Sequence, residues 1–104
     1  ARKQWIIGSV APKGEVVIDQ GAVNAIKNGK SLLPAGVKKI KGIFDKGDHI
    51  LVKDQNSIEC ARGLTSFSSI EIEKIKGSHS SKIKNILGYS SREEIIHKDD
   101  LVKV

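Results

Sequence analysis

Apolar residues fall along this chain in short runs that alternate between a two-residue and a three-to-four-residue period, with no run long enough for an extended helix. Trp5-Ile6-Ile7, closed by Gly8, predicts a short strand. After the turn Pro12-Lys13-Gly14, the run Glu15-Val16-Val17-Ile18 predicts a buried strand. Asp19 then caps a helix that carries Ala22, Ala25 and Ile26 on one face and stops at Gly29. A helix of barely two turns depends on packing more than on propensity. Beyond the turn Pro34-Ala35-Gly36, Val37, Ile40, Ile43 and Phe44 mark an extended segment studded with Lys38, Lys39 and Lys41.

Asp45-Lys46-Gly47-Asp48 is a turn by composition, and His49-Ile50-Leu51-Val52-Lys53 a strand. Asp54-Gln55-Asn56-Ser57 reverses it into a returning strand, Ile58 to Leu64, in which Gly63 signals a bulge or a close backbone approach. Ser68-Ser69-Ile70-Glu71 has the Ser-x-x-Glu form of a capping box and opens a helix through Ile72 and Ile75 to Gly77. A second short helix places Ile83, Ile86 and Leu87 on one face and ends at Gly88, and Ser91-Arg92-Glu93-Glu94 caps a further turn. Ile95-Ile96-His97, the turn Lys98-Asp99-Asp100 and a strand Leu101-Val102-Lys103-Val104 follow. The pattern predicts a mainly β protein with short helices, arranged as a small mixed barrel.

Composition narrows this picture. A chain of 104 residues fits one domain, and with 4% aromatics its core must be aliphatic. No methionine is present, and the opening Ala-Arg-Lys-Gln-Trp reads as the middle of a chain, so a piece of a longer protein is expected. Apolar stretches stay far short of the roughly 18 residues of a membrane span, and nothing resembles a signal peptide. The single Cys60 forms no internal disulfide, which points to a reducing cytoplasm. The net charge of +6 is unevenly placed: residues 1–41 hold eight Lys or Arg against two acids, whereas residues 42–104 hold ten of each sign. A concentrated basic face is read equally as a site for a phosphate-rich or acidic partner and as the solvated surface of a lysine-rich protein.

The block Gly29-Lys30-Ser31-Leu32-Leu33-Pro34-Ala35-Gly36 contains the Gly-Lys-Ser of a nucleotide phosphate loop. Asn24 stands where that loop needs its first glycine, and a helix comes before the block instead of after it, so the reading fails. His49, His79, His97 and Cys60 lack metal-ligand spacing. His49 at a strand start is expected to be half-exposed, His79 solvated, and Cys60, alternating with Ile58, a small core residue. The acid pairs Glu71/Glu73, Glu93/Glu94 and Asp99/Asp100 lie at helix starts or turns, where capping and solvation explain them. No catalytic constellation emerges. With Trp5, Phe44, Phe67 and Tyr89 as the aromatics, base stacking on a sheet is not expected. RNA contact would rest on phosphates, through Lys27, Lys30, Lys38, Lys39 and Arg62.

Asp19-Gln20-Gly21-Ala22, then Gly29 to Val37, then Gly42-Ile43-Phe44-Asp45-Lys46-Gly47-Asp48 together resemble a PUA domain. More narrowly they are similar to the PUA domain at the carboxyl end of bacterial glutamate 5-kinases. Arg2 to Ile6, Ala61-Arg62-Gly63-Leu64 and Ile96 to Val102 extend the likeness over nearly the whole chain. Ser66-Phe67 stands where Asn-Tyr is more usual, and Asp100 where Asn is common. The resemblance implies a PUA pseudobarrel of about six strands. It implies a single domain over 1–104, with 1–13 leading in from an upstream amino-acid-kinase domain and 78–104 forming a C-terminal extension and closing strand. The parent would phosphorylate the side-chain carboxylate of glutamate with ATP and magnesium, in proline synthesis. That chemistry belongs to the upstream domain, so no catalytic, cofactor-binding or metal-binding residue is carried over here. PUA domains of RNA-modifying enzymes bind RNA in a groove beside the first helix and the Pro-Gly turn. On this sequence the groove would involve Lys27, Lys30, Ser31, Gly36, Lys38 and Arg62, with Lys39 beside them. Two roles follow: an accessory domain packed on the kinase domain or other subunits of a homo-oligomer, with apolar surface around Trp5 and Tyr89, or a retained binder of structured RNA.

Overall fold

A computed structural model of the chain describes residues 11–89 and 92–104. Its frame is one five-stranded sheet: β1 (Gly14–Ile18), β2 (Val37–Gly42), β3 (His49–Lys53), β4 (Glu59–Leu64) and β5 (Leu101–Lys103), in the order β2-β1-β3-β4-β5. The central pair β1–β3 is parallel and the other neighbours are antiparallel. A parallel pair needs a long crossover, and here helix α1 (Gln20–Lys27) and the edge strand β2 supply it. Registers align whole rows across the sheet. Ile40, Val16, Val52, Ala61 and Lys103 share the face that looks onto the core. Lys41, Glu15, Leu51, Arg62 and Val102 share the opposite one, because successive side chains alternate in direction.

Three short helices cover the inner face: α1, α2 (Ser69–Ile75) and α3 (Ile83–Leu87). Val23 and Ile26 of α1, Ile72 and Ile75 of α2, and Ile83 of α3 are buried against Val16, Ile18, Ile50, Val52 and Leu101. The largest fully buried side chains are Ile, Leu and Val, as the low aromatic content predicts. The capping box forms as expected: Ser68 Oγ accepts the Glu71 N–H at 3.2 Å, and the Glu71 carboxylate accepts the Ser68 N–H at 2.8 Å. Gly63 marks a close approach, since a Cβ there would lie 2.7 Å from the Asp100 carbonyl oxygen and from Ile96 Cγ2. The stretch before β5 is tied to the chain after α1, where Leu32 and Ile96 form an antiparallel bridge.

The mainly β architecture with short helices is as expected: five strands are found among the described residues, and their pairing leaves the sheet open, with β2 and β5 as its two edges. Other expectations need correction. The strand expected at Trp5-Ile6-Ile7 and the cap at Ser91 lie outside the described residues. The core face of α1 is Val23 with Ile26, whereas Ala22 and Ala25 are half-buried. Ile43 is 90% exposed, because β2 ends at Gly42 (φ 87°) and the chain turns before Phe44 enters the core. Ile58 is 60% exposed, since β4 begins at Glu59. A register shift between Val52 and Lys53 leaves Cys60 half-buried at the end of the strand. His49 is buried, 5% exposed, where its position at a strand start suggested half-exposure. Ile86 projects outward from α3, and Ile83 carries that helix's buried contact.

Two glycine substitutions test this packing. Gly63→Ala is expected to destabilise the domain by about 1–3 kcal/mol, because backbone and Ile96 must both give way. Gly21→Ala, in the first turn of α1, where a Cβ would make an ordinary contact with Asp19 Oδ1 at 3.5 Å, should be neutral or stabilising by up to about 1 kcal/mol. Urea melts that rank the two variants the other way would refute the close approach at Gly63.

Candidate functional site

The block that follows α1 is fixed at both ends by local chemistry. Asp19 caps α1 by accepting the Ala22 N–H on Oδ1 at 2.8 Å, and its own N–H donates to the Gly36 carbonyl at 2.9 Å. A Cβ on Gly36 would meet Ala22 Cβ at 2.5 Å, so the turn Pro34–Gly36 sits directly on the first turn of the helix. Only glycine permits that approach. At its other end α1 closes in a Schellman motif: Gly29 (φ 79°) donates to the Ile26 carbonyl and Lys30 to the Ala25 carbonyl, each at 3.0 Å. The motif fixes Lys30 just past the helix end, next to Lys27 in the last turn.

Between α1 and the Pro34–Gly36 turn lies a groove of about 270 Å³, lined by Asp19, Gly21, Ala22, Ala25, Ser31 and Leu33 together with Ala35 and Gly36. Small residues on α1 flatten one wall, and Leu33, 45% exposed, supplies an apolar rim. Among the described residues no lysine or arginine lines it. Ser31 Oγ accepts the Lys98 N–H at 2.7 Å, so this hydroxyl also ties the groove wall to the stretch before β5. The groove suits a flat, largely apolar group with one or two hydrogen bonds.

The cations predicted to share this groove are placed elsewhere. Lys30 borders a separate hollow of about 230 Å³ with Lys98, Asp99 and Lys103. Lys103 Nζ donates to the Lys27 carbonyl at 3.4 Å, which joins Lys27 to the same corner. Four lysines thus surround the C-terminal, electronegative end of α1. Lys98 and Lys103 escaped the sequence reading because they lie in a stretch with balanced charge, and only the return of β5 beside β4 brings them here. Lys38 and Lys39 lie on edge strand β2, with Lys39 opposite Val17. Arg62 is three strands away on β4, where Glu59 accepts from its Nε at 2.7 Å and from a terminal nitrogen at 3.3 Å. That hydrogen-bonded pair raises the Arg62 pKa. The predicted set therefore divides in three: Ser31 and Gly36 at the groove, Lys27 and Lys30 at the lysine corner, and Lys38, Lys39 and Arg62 across the sheet.

Titratable groups add little reactive chemistry. Burial, then the nearby Asp54 charge, pushes the Cys60 thiol up, which keeps it protonated and poorly nucleophilic. Burial also acts to raise Glu71, but hydrogen bonds from the Tyr89 hydroxyl and from Ser68 outweigh it and hold the carboxyl below its usual value. The same contact with Glu71 pushes Tyr89 up. Among the described residues no three His, Cys, Asp or Glu side chains gather in a way that would hold a metal. No helix among them is long and apolar enough to cross a membrane.

Comparison with known proteins agrees with the fold. The family model described as "PUA domain" matches residues 14–87. Over all 104 residues the chain is 64% identical to a glutamate 5-kinase of Pelagibacter ubique, and it covers 28% of that protein's length. A glutamate 5-kinase of Nitrobacter hamburgensis is 52% identical over 102 residues, 98% of this chain and 27% of the relative. The chain thus spans less than a third of the curated relatives it matches, and it aligns with their C-terminal region. Among solved structures, a PUA domain from Aeropyrum pernix K1 in a tartrate complex superposes with TM-score 0.61 at 21% identity, over 82% of this chain and 41% of that one. An H/ACA RNP bound to a substrate RNA containing 2'-deoxyuridine gives the same TM-score and identity, over 88% of this chain and 23% of that one. At such identity the likeness is one of fold.

The Glu71 carboxyl, depressed in the fold, contributes stability that is complete above its unfolded pKa of about 4.3 and fades as pH falls through the folded value. Glu71→Gln, which weakens the cap, should cost about 0.5–2 kcal/mol at pH 7. The gap to the unmodified chain should narrow at pH 3. Denaturant melts showing the same gap at both pH values would refute this account of Glu71.

Proposed function

Given that this chain belongs to the PUA domain family, we propose that it is the non-catalytic accessory domain of a larger glutamate 5-kinase, acting in the cytoplasm. In this reading residues 1–13 lead in from an upstream amino-acid-kinase domain, and residues 78–104 complete and close the PUA unit. The upstream part binds ATP and magnesium and phosphorylates the glutamate side chain for proline synthesis. The present domain packs on that part, or on other subunits of a homo-oligomer, and adjusts its assembly and regulation. One observation carries the reading: identity of 64% extends over every residue of this chain yet accounts for 28% of a glutamate 5-kinase. The chemistry along the chain is compatible with a supporting role, since Asp19 caps a helix, the Glu71 carboxylate completes a capping box and Glu59 holds Arg62.

Removing these 104 residues from the parent kinase tests the role directly. The expected result is an active kinase with altered oligomer size, altered magnesium response or altered inhibition by proline. A truncated enzyme unchanged in all three would sink the proposal.

The lysine corner supports a second reading, in which the domain binds structured RNA through phosphates. Lys27, Lys30, Lys98 and Lys103 concentrate positive charge at one end of α1, and a similar fold occurs in an H/ACA RNP bound to RNA. Binding of a tRNA-like hairpin should then weaken steeply with salt. Reversing Lys27, Lys30 and Lys103 to glutamate should abolish it, while reversing Lys38 should matter less. Absence of binding to such hairpins at low salt would remove this reading.

A further inference from the structure

The edge strand β2 combines three properties that its neighbours do not share. It pairs with β1 along one side, and among the described residues no strand pairs along the other. Every second residue of such a strand turns its N–H and C=O outward, which makes Val37–Gly42 a template for another strand. Its side chains divide by face. Lys39 and Lys41 stand with the row that includes Glu15, whereas Ile40 stands with Val16 and Val52 on the inner face. Lys41 lies opposite Glu15, yet that carboxylate forms an ion pair with Lys53 Nζ at 3.0 Å instead. Lys38, Lys39 and Lys41 therefore form no ion pair among the described residues.

On the inner side a hollow of about 340 Å³ opens beside Ile40 and Gly42, with Ser69, Ile70, Glu73 and Lys74 of α2 as its far wall. Ile70 is 67% exposed, although α2 directs Ile72 and Ile75 into the core. Glu73 is already paired with Lys76 at 2.7 Å, so the wall's charge without an ion pair among the described residues is again positive, at Lys74. An incoming strand alongside β2 would thus meet cations on one face and, on the other, a hollow whose aliphatic contacts are Ile40 and Ile70.

We propose that the β2 edge receives an extended segment of alternating acidic and aliphatic residues, supplied by the remainder of the larger polypeptide. Its aliphatic side chains enter the hollow between Ile40 and Ile70, and its carboxylates face Lys39 and Lys41. Backbone pairing supplies affinity and the alternation supplies selectivity, as in strand addition generally. A second copy of the chain is disfavoured, because pairing β2 with β2 sets lysines against lysines. The source rests on the accessory-domain reading: this chain covers 28% of a glutamate 5-kinase relative, and a tethered segment is present at high effective concentration.

The 104-residue chain, labelled with nitrogen-15, can be titrated with a capped peptide alternating glutamate and valine and with one alternating lysine and valine. The glutamate peptide should slow amide exchange along Val37–Gly42 and bind about tenfold or more tightly than the lysine peptide. Lys39→Glu with Lys41→Glu should invert that preference, and Ile70→Asp should weaken the glutamate peptide while exchange in β3 and β4 stays unchanged. Equal binding of the two peptides, indifference to the double reversal, or unprotected β2 amides would overturn strand addition. In the whole parent kinase, β2 amides should be protected without added peptide, and free exchange there would overturn the proposed source. If the peptides fail while deletion of the domain still alters the kinase, strand addition is wrong and the accessory role stands.

Discussion

Leu32 and Ile96 hold the two ends of the fold against each other, and the geometry of both surface features depends on that contact. Leu32 donates its N–H to the Ile96 carbonyl at 3.0 Å and accepts the Ile95 N–H at 2.7 Å. Both side chains are buried, so the exchange takes place away from water, where an unpaired backbone group would be costly. On one side of this contact Ser31 receives Lys98 and becomes a wall of the groove. On the other, Ile96 packs against the missing Cβ of Gly63 and lets β5 lie beside β4. Without that placement Lys103 would not reach the end of α1. The groove and the lysine corner are two consequences of one backbone bridge.

The groove and the lysines also differ in kind. The groove is shaped by the absence of side-chain atoms at Gly21 and Gly36 and by the shortness of Ala22 and Ala25. Its one carboxylate, Asp19, is committed to the helix cap. The lysine corner is instead a compensation for exposed carbonyl ends, with Lys103 bonding one of them directly. A cation engaged with a helix end stays charged and solvated, and it remains available to a mobile anion. Structural and recognition roles of these lysines are therefore compatible, and Lys27 and Lys103 serve the first whether or not they serve the second.

What was legible in the sequence was chiefly local. The Ser68–Glu71 capping box, the Asp19 cap and the stop at Gly29 depend on neighbours within a few positions, and each formed as read. Gly63 was legible as a close approach, though not what approached it. The errors fall where packing across the fold decides. Ile43 and Ile58 look like strand residues from their neighbours, yet β2 ends at a positive-φ glycine before Ile43 and β4 begins only after Ile58. His49 is buried by its surroundings, which no window of sequence around a strand start reveals. The candidate site suffered most from this limit. Charge counting located a basic region, but it could not tell that Arg62 is occupied by Glu59 or that Lys98 and Lys103 join Lys27 and Lys30.

The parallel pairing of β1 with β3 has a bearing on how the molecule comes into being. The middle of the sheet cannot form from adjacent stretches of chain, because α1 and the whole of β2 intervene. Closing that loop costs chain entropy before any contact repays it. The bond between Ser31 and Lys98, 67 residues apart, forms later still in any order of synthesis. Domains rich in such distant contacts fold in about milliseconds to seconds, slower than helical ones of similar size. Until β5 is in place, the backbone edge of β4 would stand open to whatever unfinished chains are nearby.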